Sequence, residues 1–292
     1  MKYQVENSDV GKRIDTYLME KSEISRSQIQ RLIKEDNVLV NSKSTKSSYS
    51  VREGDEITLN YEEKVMTVEK EEMDLDIVYE DDDVIVINKP NGVVVHPAIG
   101  NTSGTLVNGL MYYTDLSEDE FRPGIVHRID AYTTGLLMIA KNNEAHESLS
   151  KQLKEHTVHR KYQALVWGVI KNNSGTIDAP IGRDKKNRKM MGVTEDGKES
   201  ITHFTVLERF KDATLIELKL ETGRTHQIRV HMSYIGYPIV NDPVYGRRNT
   251  IDDSGQCLHA KELGFVHPKT GEKLMFNSEL PECFTNILNQ FR

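Results

Sequence analysis

Six segments in the later and larger part of the chain carry strand-like patterns of apolar residues, and they constrain the fold more than any other feature. They span residues 83–88, 92–96, 135–141, 162–168, 201–207 and 213–221. Several alternate apolar and polar residues, as antiparallel strands with one buried face do. Helical spacing of apolar residues appears between some of them, over residues 105–113, 143–156 and 226–235. Because strands and helices do not alternate regularly, residues 76–292 predict an α+β domain with a mainly antiparallel mixed sheet.

Residues 11–60 predict a second, smaller α+β domain. Ile14, Tyr17 and Leu18 share one face of a helix. Ser25 and Gln28 have the spacing of a capping box before a second helix. That helix places three apolar residues on its inner side: Ile29, Leu32 and Ile33. Two short strand-like pieces follow, residues 38–41 and 56–60.

Basic residues on the outer surface of the small domain are candidates for a contact with nucleic acid. They are Arg13, Arg26, Arg31 and Lys34. Across residues 11–55 nine basic residues stand against seven acidic ones, so the domain is only mildly basic. A solvated amphipathic helix pair explains this pattern as well as an RNA-binding surface does.

The formal net charge of −7 argues at first against a nucleic-acid partner, because phosphate binding needs lysine and arginine. The acidity is local, however. Residues 62–83 hold eleven acids and two lysines, a charge of −9, and subtracting this from −7 leaves +2 for the rest of the chain. Overall charge therefore does not exclude RNA. Residues 61–75 are predicted to be an acidic linker between the two domains.

Composition also excludes several other classes of protein. No run of about 18 apolar residues predicts a transmembrane helix, and the first residues lack the apolar core of a signal peptide. Cys257 and Cys283 form no CxxC pair, so neither a disulfide framework nor a zinc site is indicated. We therefore expect a cytoplasmic protein.

The first candidate for chemistry is the loop His127-Arg128-Ile129-Asp130. It follows a turn at Gly124 and leads through Thr133 and Gly135 into an apolar strand. A carboxylate in such a loop can be partly desolvated and available to a substrate. Taken alone, an aspartate in a threonine- and glycine-rich loop usually caps a turn.

The second candidate is the segment from Gly223 to His231, in which a strand ends, the chain turns and a helix begins. Arg224 is expected near the helix N-terminus, where free backbone N–H groups attract anions. His226 and His231 are five residues apart and therefore do not share a helical face as a metal-binding pair would. We expect these two histidines to be hydrogen-bonded structural groups, and no metal site.

Two further groups complete the set. Lys89 lies in an Asn-Lys-Pro-Asn-Gly segment, and Tyr162 ends the run His159-Arg-Lys-Tyr. Residues 183–189 hold five cations in seven residues, including Arg183, Lys186 and Arg188. Such a run is usually a solvated loop, but it can also bind phosphates.

In this order, the segments closely resemble the RluA class of pseudouridine synthases. The likeness runs from about residue 11 to the end, and the His-Arg-Ile-Asp-x-x-Thr-x-Gly and Gly-Arg-Thr-His-Gln-Ile-Arg-Val-His segments are highly specific to that class. Residues 236–245 and 258–260 also match it. The small domain resembles the S-four RNA-binding domain. Ala131 and Tyr132 stand where this class often has charged or polar residues, and Thr134 where serine is common.

The resemblance implies a role for each candidate residue. Asp130 is the catalytic nucleophile, and Arg224 matches the cation that keeps it ionised. Tyr162 matches the tyrosine that stacks on the flipped base and accepts a proton. Arg128 fills the space the base leaves, Leu220 lines the pocket, and His127 holds the shape of the loop. Contacts with the RNA backbone are expected from Lys89, Arg183, Lys186 and Arg188.

The resemblance also implies an isomerisation that needs no cofactor. The bond from uracil N1 to ribose breaks, the base turns, and it rejoins through C5. A two-domain chain of this kind is similar to members that modify large-subunit ribosomal RNA, with transfer RNA as the alternative. We expect RNA as the partner, no membrane, and a monomer. Rival interpretations are a non-catalytic RNA-binding ribosome-assembly factor and an RNA glycosidase that releases the base.

Overall fold

The computed structural model describes residues 1–22, 24, 26–61, 68–97, 102–117, 123–185, 187, 190–246 and 250–292. The chain divides into two compact units, Met1–Met66 and Thr67–Arg292. None of the helices in the part described is long and apolar enough to span a membrane.

The first unit is a small sheet packed with two helices. Its elements are β1 (Lys2–Gln4), α1 (Ile14–Lys21), α2 (Arg26–Lys34), β2 (Val38–Val40), β3 (Lys43–Ser44) and β4 (Glu56–Leu59). The strands form one antiparallel sheet in the order β1-β4-β2-β3. The apolar faces predicted for the two helices are buried together with the inner residues of β2 and β4. Ser25, the predicted helix cap, lies outside the described residues.

A buried aspartate organises two of the basic residues predicted on this unit. Asp15 is fully buried, and its carboxylate accepts two hydrogen bonds of 3.0 Å from Arg13, one of 3.2 Å from Arg26 and one of 2.7 Å from Gln30. These donors hold the pKa of Asp15 well below its usual value. Arg13 and Arg26 thus serve the domain's own packing, whereas Arg31 and Lys34 lie exposed on α2.

The second unit is built on one large sheet. Its strands are β5 (Ile77–Glu80), β6 (Val84–Lys89), β7 (Thr134–Ala140), β8 (His159–Trp167), β9 (Ser174–Asp178), β10 (Ile181–Arg183), β11 (Met191–Val193), β12 (Ile201–Arg209), β13 (Ala213–Leu220), β14 (Leu258–Val266) and β15 (Lys273–Asn277). Its helices are α3 (Leu106–Tyr113), α4 (Asn143–Lys154), α5 (Gln227–Tyr234) and α6 (Glu282–Leu288). Together they confirm the predicted α+β class.

Nine of these strands form the large sheet in the order β5-β6-β7-β14-β8-β13-β12-β9, with β15 paired to β14, while β10 and β11 form a separate hairpin. All its pairings are antiparallel except that of β7 with β14. Ile85 and Ile87 of β6 pack in the same cluster as α3, whereas Val84 and Val86 pack with α4 on the other face. The sheet is therefore covered on both faces at β6.

The prediction of a strand over residues 92–96 is wrong. In the structure this segment is a loop whose Val94 and Val95 carbonyls accept hydrogen bonds from the N–H groups of Leu106 and Val107 at the start of α3. The segment therefore serves as a support for the first turn of the helix, whose N–H groups have no partner within the helix itself.

Part of the segment predicted as an acidic linker is in contact with α3. Asn108 donates a 2.7 Å hydrogen bond to the Glu69 carbonyl, and its own carbonyl accepts one of 3.1 Å from the Glu71 N–H. The Glu71 carboxylate accepts a 2.8 Å bond from the N–H of Gly104. Residues 68–75 thus pack against α3 as part of the second unit, while residues 62–67 lie outside the described part of the chain.

Gly135 fixes the start of β7 against β14. Its φ of +105° suits glycine, and a Cβ there would lie 2.3 Å from the Ala260 carbonyl oxygen. Only a residue without a side chain allows the parallel approach of the two strands at this point. The loop that carries Asp130 therefore enters the sheet at a fixed place.

Candidate active site

Asp130 lies at the end of the loop that runs into β7. The Thr133 N–H donates a 3.0 Å hydrogen bond to the Asp130 carbonyl, which closes a tight turn. Thr133 itself is buried and accepts a 3.1 Å hydrogen bond from the amide of Gln256. The carboxylate of Asp130 is about a quarter exposed and lines a cleft. The turn is closed by the backbone carbonyl of Asp130, so the side-chain carboxylate is not needed to cap it.

The cation beside this carboxylate is Arg229. Its Nη1 donates a 2.8 Å hydrogen bond to Oδ2 of Asp130. Its Nε and Nη2 form a two-pronged contact with Asp242, at 2.7 and 2.9 Å. The Asp242 carboxylate also accepts the N–H groups of Val244 and Tyr245. The pair Arg229–Asp242 is buried, and its two hydrogen bonds fix the plane of the guanidinium. The remaining nitrogen, Nη1, therefore points to Asp130.

The prediction that Arg224 supplies this cation is wrong. Among the described residues the ion pairs of Asp130 join it to Arg229 and His226 and not to Arg224. The Nε of Arg224 instead donates a 3.0 Å hydrogen bond to the Glu199 carbonyl. Its backbone N–H donates a 2.9 Å hydrogen bond to the side-chain amide oxygen of Gln227. Arg224 still lines the cleft, so it remains a candidate for contact with substrate.

His226 turns the chain into α5 and faces Asp130. It has left-handed backbone angles, φ 57° and ψ 20°, and its Nε2 lies 3.7 Å from Oδ1 of Asp130. Its Nδ1 is 2.9 Å from the Tyr245 hydroxyl, whose oxygen accepts a 3.0 Å bond from the Met191 N–H. Burial is the main cause of a lowered pKa for His226, while the charge of Asp130 acts against it.

These contacts assign a tautomer to the neutral His226. The Tyr245 oxygen already accepts from Met191, so its O–H donates to Nδ1, and the ring proton is on Nε2. A proton on Nε2 also suits the nearby carboxylate oxygen of Asp130. His226 is a hydrogen-bonded group, as expected, and through Tyr245 it connects β11 with the loop that carries Asp130. His231 does have the expected structural role, between the Thr202 hydroxyl and the Ala179 carbonyl.

The cleft beside Asp130 has a volume of about 790 Å³ and brings together most of the predicted site. Its described lining includes Arg128, Tyr162, Leu220 and Arg224. Tyr162 and Leu220 come from the neighbouring strands β8 and β13. Burial is the main reason that the pKa of Tyr162 is raised, so its phenol is neutral and suited to stacking or hydrogen bonding. A phenol in that state is a poor proton acceptor, in contrast to the expected role.

Arg128 and His127, two residues of the loop before Asp130, differ in their surroundings. The exposed Arg128 reaches His96 Nε2 at 3.2 Å and the Thr225 hydroxyl at 3.5 Å, across the mouth of the cleft. His127 accepts a 3.1 Å hydrogen bond from the Met138 N–H through its Nε2. Burial, aided by the charge of Arg160, lowers the pKa of His127 to about 3. His127 is therefore a neutral acceptor that ties the loop to β7.

Lys89 is not an RNA contact in this structure, contrary to the sequence prediction. Its side chain is 1% exposed, and Nζ donates to the carbonyls of Pro90, Val93 and Ala131 at 2.7 to 2.9 Å. Burial lowers the pKa of Lys89 to about 7, with Asp130 acting against it. Three acceptors nevertheless require three protons, which only the ammonium form supplies. Lys89 thus clamps the loop next to Asp130.

The basic loop predicted to bind phosphate is only partly described. Arg183 ends β10 and is not among the residues that line the cleft. Lys186 and Arg188 lie outside the described residues. Their expected contacts with RNA remain predictions.

Within the part of the chain that the structure describes, one cluster of potential metal ligands lies away from the cleft. Asp81, Asp83 and His267 bring one ligand atom each within 4.8 Å of one another. The carboxylate of Asp81 accepts from the Tyr79 hydroxyl, from His267 and from the N–H groups of Asp83 and Val84. These hydrogen bonds account for the arrangement by themselves.

Comparison with known proteins gives consistent matches along the chain. The family described as RNA pseudouridylate synthase matches residues 83–234, and the S4 domain family matches residues 12–57. The chain is 56% identical over 287 residues to a Bacillus subtilis (strain 168) protein called uncharacterized RNA pseudouridine synthase YlyB, with 97% of this chain and 95% of that one covered. It is 43% identical over 297 residues to ribosomal large subunit pseudouridine synthase D of Pseudomonas aeruginosa, with 97% and 92% covered.

Among solved structures, human RNA pseudouridylate synthase domain containing 1 is similar to this chain with a TM-score of 0.60 and 28% identity. The match covers 75% of this chain and 94% of the human one. The similarity therefore extends from sequence to fold.

Proposed function

The chain belongs to the RluA family of RNA pseudouridine synthases, isomerases of uridine in RNA, and we propose that it acts on specific uridines of large-subunit ribosomal RNA with Asp130 as its catalytic carboxylate. Support for this RNA comes from relatives called ribosomal large subunit pseudouridine synthase D, which are 42% and 43% identical over nearly the whole chain. The S4 domain preceding the catalytic unit is a further argument, since it offers a second surface for a large RNA.

The single observation that carries the catalytic assignment is the asymmetry of the Asp130 carboxylate. Oδ2 is held by Arg229, which is itself held by Asp242. Oδ1 accepts no hydrogen bond from the described residues, and the His226 Nε2 is 3.7 Å from it. One oxygen is therefore fixed while the other is available in a cleft large enough for a nucleoside. A carboxylate used only as a turn cap would not have this buried cation.

The isomerisation breaks the bond from N1 of uracil to C1′ of ribose and forms one from C5 to C1′. C5 loses a proton and N1 gains one, so the reaction is balanced without an oxidant or a co-reactant. The ionised Asp130 either attacks the ribose or removes a proton from it. Arg229 donates a hydrogen bond to Oδ2 and places a positive charge beside the carboxylate that reacts.

The remaining residues of the cleft hold the flipped base. The neutral phenol of Tyr162 stacks on the base, and Leu220 packs against it from the next strand. Arg128, exposed at the mouth of the cleft, occupies the place in the helix that the base has left, where its planar guanidinium can stack. Extracting a base costs a few kcal/mol, which these contacts offset.

The proposed substrate is tested by mapping pseudouridines in total RNA from cells with and without the protein. We expect the difference to lie in large-subunit ribosomal RNA, and the purified protein should convert the same uridines in deproteinised large-subunit RNA. Sites that change only in transfer RNA would overturn the proposed substrate and leave the family's activity intact. No change in any RNA would contradict both.

The S4 domain is proposed to bind RNA through the exposed face of α2. Replacing Arg31 and Lys34 by glutamine should weaken RNA affinity or shift the sites that are modified. The matched control replaces Lys2 and Lys43, which carry the same charge on β1 and β3 of the same unit. Equal effects of the two double variants would show that only net charge matters and would contradict a defined surface.

A further inference from the structure

Arg160 is a buried cation that the chemistry described so far does not use. It lies on β8 and is 9% exposed. Among the described residues its guanidinium forms neither a hydrogen bond nor an ion pair, and its Nε is fully buried without a partner. A buried charge without a partner is strongly unfavourable. Arginine in this state is rare in folded proteins and calls for a specific explanation.

The surroundings of Arg160 place it in the active-site cleft. Arg160 and Tyr162 are two residues apart on one strand, so their side chains lie on the same face of the sheet, about 7 Å apart along it. Both line the 790 Å³ cleft. A Cβ at Gly223 would lie 2.9 Å from Nη1 of Arg160, so the guanidinium occupies the space that the glycine leaves open. The cleft, and not the core, is therefore where a partner can reach it.

No protein group in the described lining is suited to neutralise Arg160. Asp130 is the single acid among those residues and is already paired with Arg229, whereas Arg128, Lys154, Arg160 and Arg224 are all cationic. His127, the neutral neighbour, uses its acceptor nitrogen for Met138 and has only an N–H left to offer. The cleft thus carries an excess of positive charge with one desolvated guanidinium at its wall.

We propose that Arg160 is a phosphate-binding residue, whose guanidinium binds an RNA backbone phosphate next to the uridine held by Tyr162. The fork of an arginine suits two phosphate oxygens, and exclusion of water strengthens the contact. Binding energy from the backbone then positions the nucleotide for Tyr162 and Asp130. The site requires only an RNA substrate, whichever RNA that is.

The test compares Arg160→Met with Arg209→Met. Arg209 is the matched control because its guanidinium is hydrogen-bonded to the carbonyls of Ile170, Lys171 and Asn172 and to the side chain of Asn173. We expect Arg160→Met to keep or raise the thermal midpoint, since it removes an unpaired buried charge, and to raise KM for RNA about tenfold or more with kcat within about threefold. Arg209→Met should lower the midpoint and leave KM unchanged.

Two further readouts separate phosphate binding from structure. The slope of log KM against log salt should become shallower by about 0.7 to 0.9 in Arg160→Met, the loss of one phosphate contact. Without any RNA, inorganic phosphate should raise the thermal midpoint of the wild-type protein above that in sodium chloride of equal ionic strength, and this difference should vanish in Arg160→Met.

The phosphate measurement also keeps this proposal independent of the ribosomal substrate, because it needs no RNA. If Arg160→Met fails to fold, or loses stability as Arg209→Met does with KM and salt slope unchanged, Arg160 is a structural residue and the proposal is overturned. An unchanged midpoint in phosphate together with an unchanged KM would overturn it equally. If large-subunit RNA is not converted by the wild-type protein, only the proposed substrate fails.

Discussion

Nη1 of Arg229 lies 2.8 Å from Oδ2 of Asp130, although the two residues are 99 positions apart in the chain. The contact joins the loop before β7 to the helix α5. Asp242 fixes the orientation of the Arg229 guanidinium through two hydrogen bonds. The carboxylate proposed to be catalytic thus gains its cation from a buried ion pair.

Asp242→Asn should lower both stability and activity. Burial alone would raise the pKa of Asp242, but the hydrogen bonds and charge of Arg229 outweigh it and lower the pKa. A lowered pKa in the folded state contributes stability above the unfolded value of about 4, and this stability is lost as pH falls through the folded value. At pH 7 we expect a loss of about 3 kcal/mol in the free energy of unfolding.

The measurement is the thermal midpoint between pH 3 and pH 7. The wild-type midpoint should fall with acidification more steeply than that of Asp242→Asn, because the variant has already lost the group that titrates. Asp212→Asn, a change at an exposed carboxylate, serves as the control and should follow the wild type. Parallel profiles for the wild type and Asp242→Asn would contradict the stabilising role of the buried pair.

The Lys89→Met variant should be less stable than the wild type, and its folded form should bind RNA with unchanged affinity. Three carbonyls, those of Pro90, Val93 and Ala131, lose their donor, and an unsatisfied group costs about 1–3 kcal/mol where water cannot replace that donor, so a total of about 2 kcal/mol is expected. Denaturant unfolding gives the stability, and RNA binding is measured where the variant is still folded. Lys219→Met, at an exposed position on β13, is the control. Weaker RNA binding with unchanged stability would restore the original interpretation of Lys89 as an RNA contact.

Tyr245→Phe tests the link from the hairpin to Asp130. The variant keeps the ring but removes the hydroxyl between the Met191 N–H and His226 Nδ1. We expect kcat to fall about tenfold, with KM within about twofold, because His226 loses its orientation while the cleft keeps its shape. Tyr112→Phe, at an exposed tyrosine, should behave as the wild type. A change confined to KM would indicate that Tyr245 affects RNA binding and not the carboxylate.

The sequence correctly grouped four of the candidate site residues in space. Asp130, Arg128, Tyr162 and Leu220 were expected in one pocket, and the structure brings them into one cleft. The local sequence pattern does not show which of two arginines in one motif pairs with Asp130. Arg224 and Arg229 are five residues apart, and the left-handed turn at His226 decides which of them faces the loop. A backbone conformation of this kind on a residue other than glycine has no reliable signal in the sequence.

Partners that come from distant segments were harder still to predict. Asp242 and Tyr245 lie beyond α5 in a segment whose resemblance to the family was noted without a role. Short strands such as β10 and β11, with three residues each, owe their existence to their pairing and to the packing of Ile181 and Met191 beside Val230 and Tyr245. The run of three valines in residues 92–96 predicted a strand, because the sequence does not show that the Val94 and Val95 carbonyls accept hydrogen bonds from the start of α3.

The most direct test of the central claim is the conversion of uridine by Asp130→Asn in deproteinised large-subunit RNA, measured beside RNA affinity and thermal stability. The amide keeps the size of the carboxylate but cannot act as an ionised nucleophile or base. We expect no detectable pseudouridine, RNA affinity within about threefold of the wild type, and a folded protein. Conversion by Asp130→Asn at the wild-type rate would contradict the assignment of Asp130 as the catalytic residue.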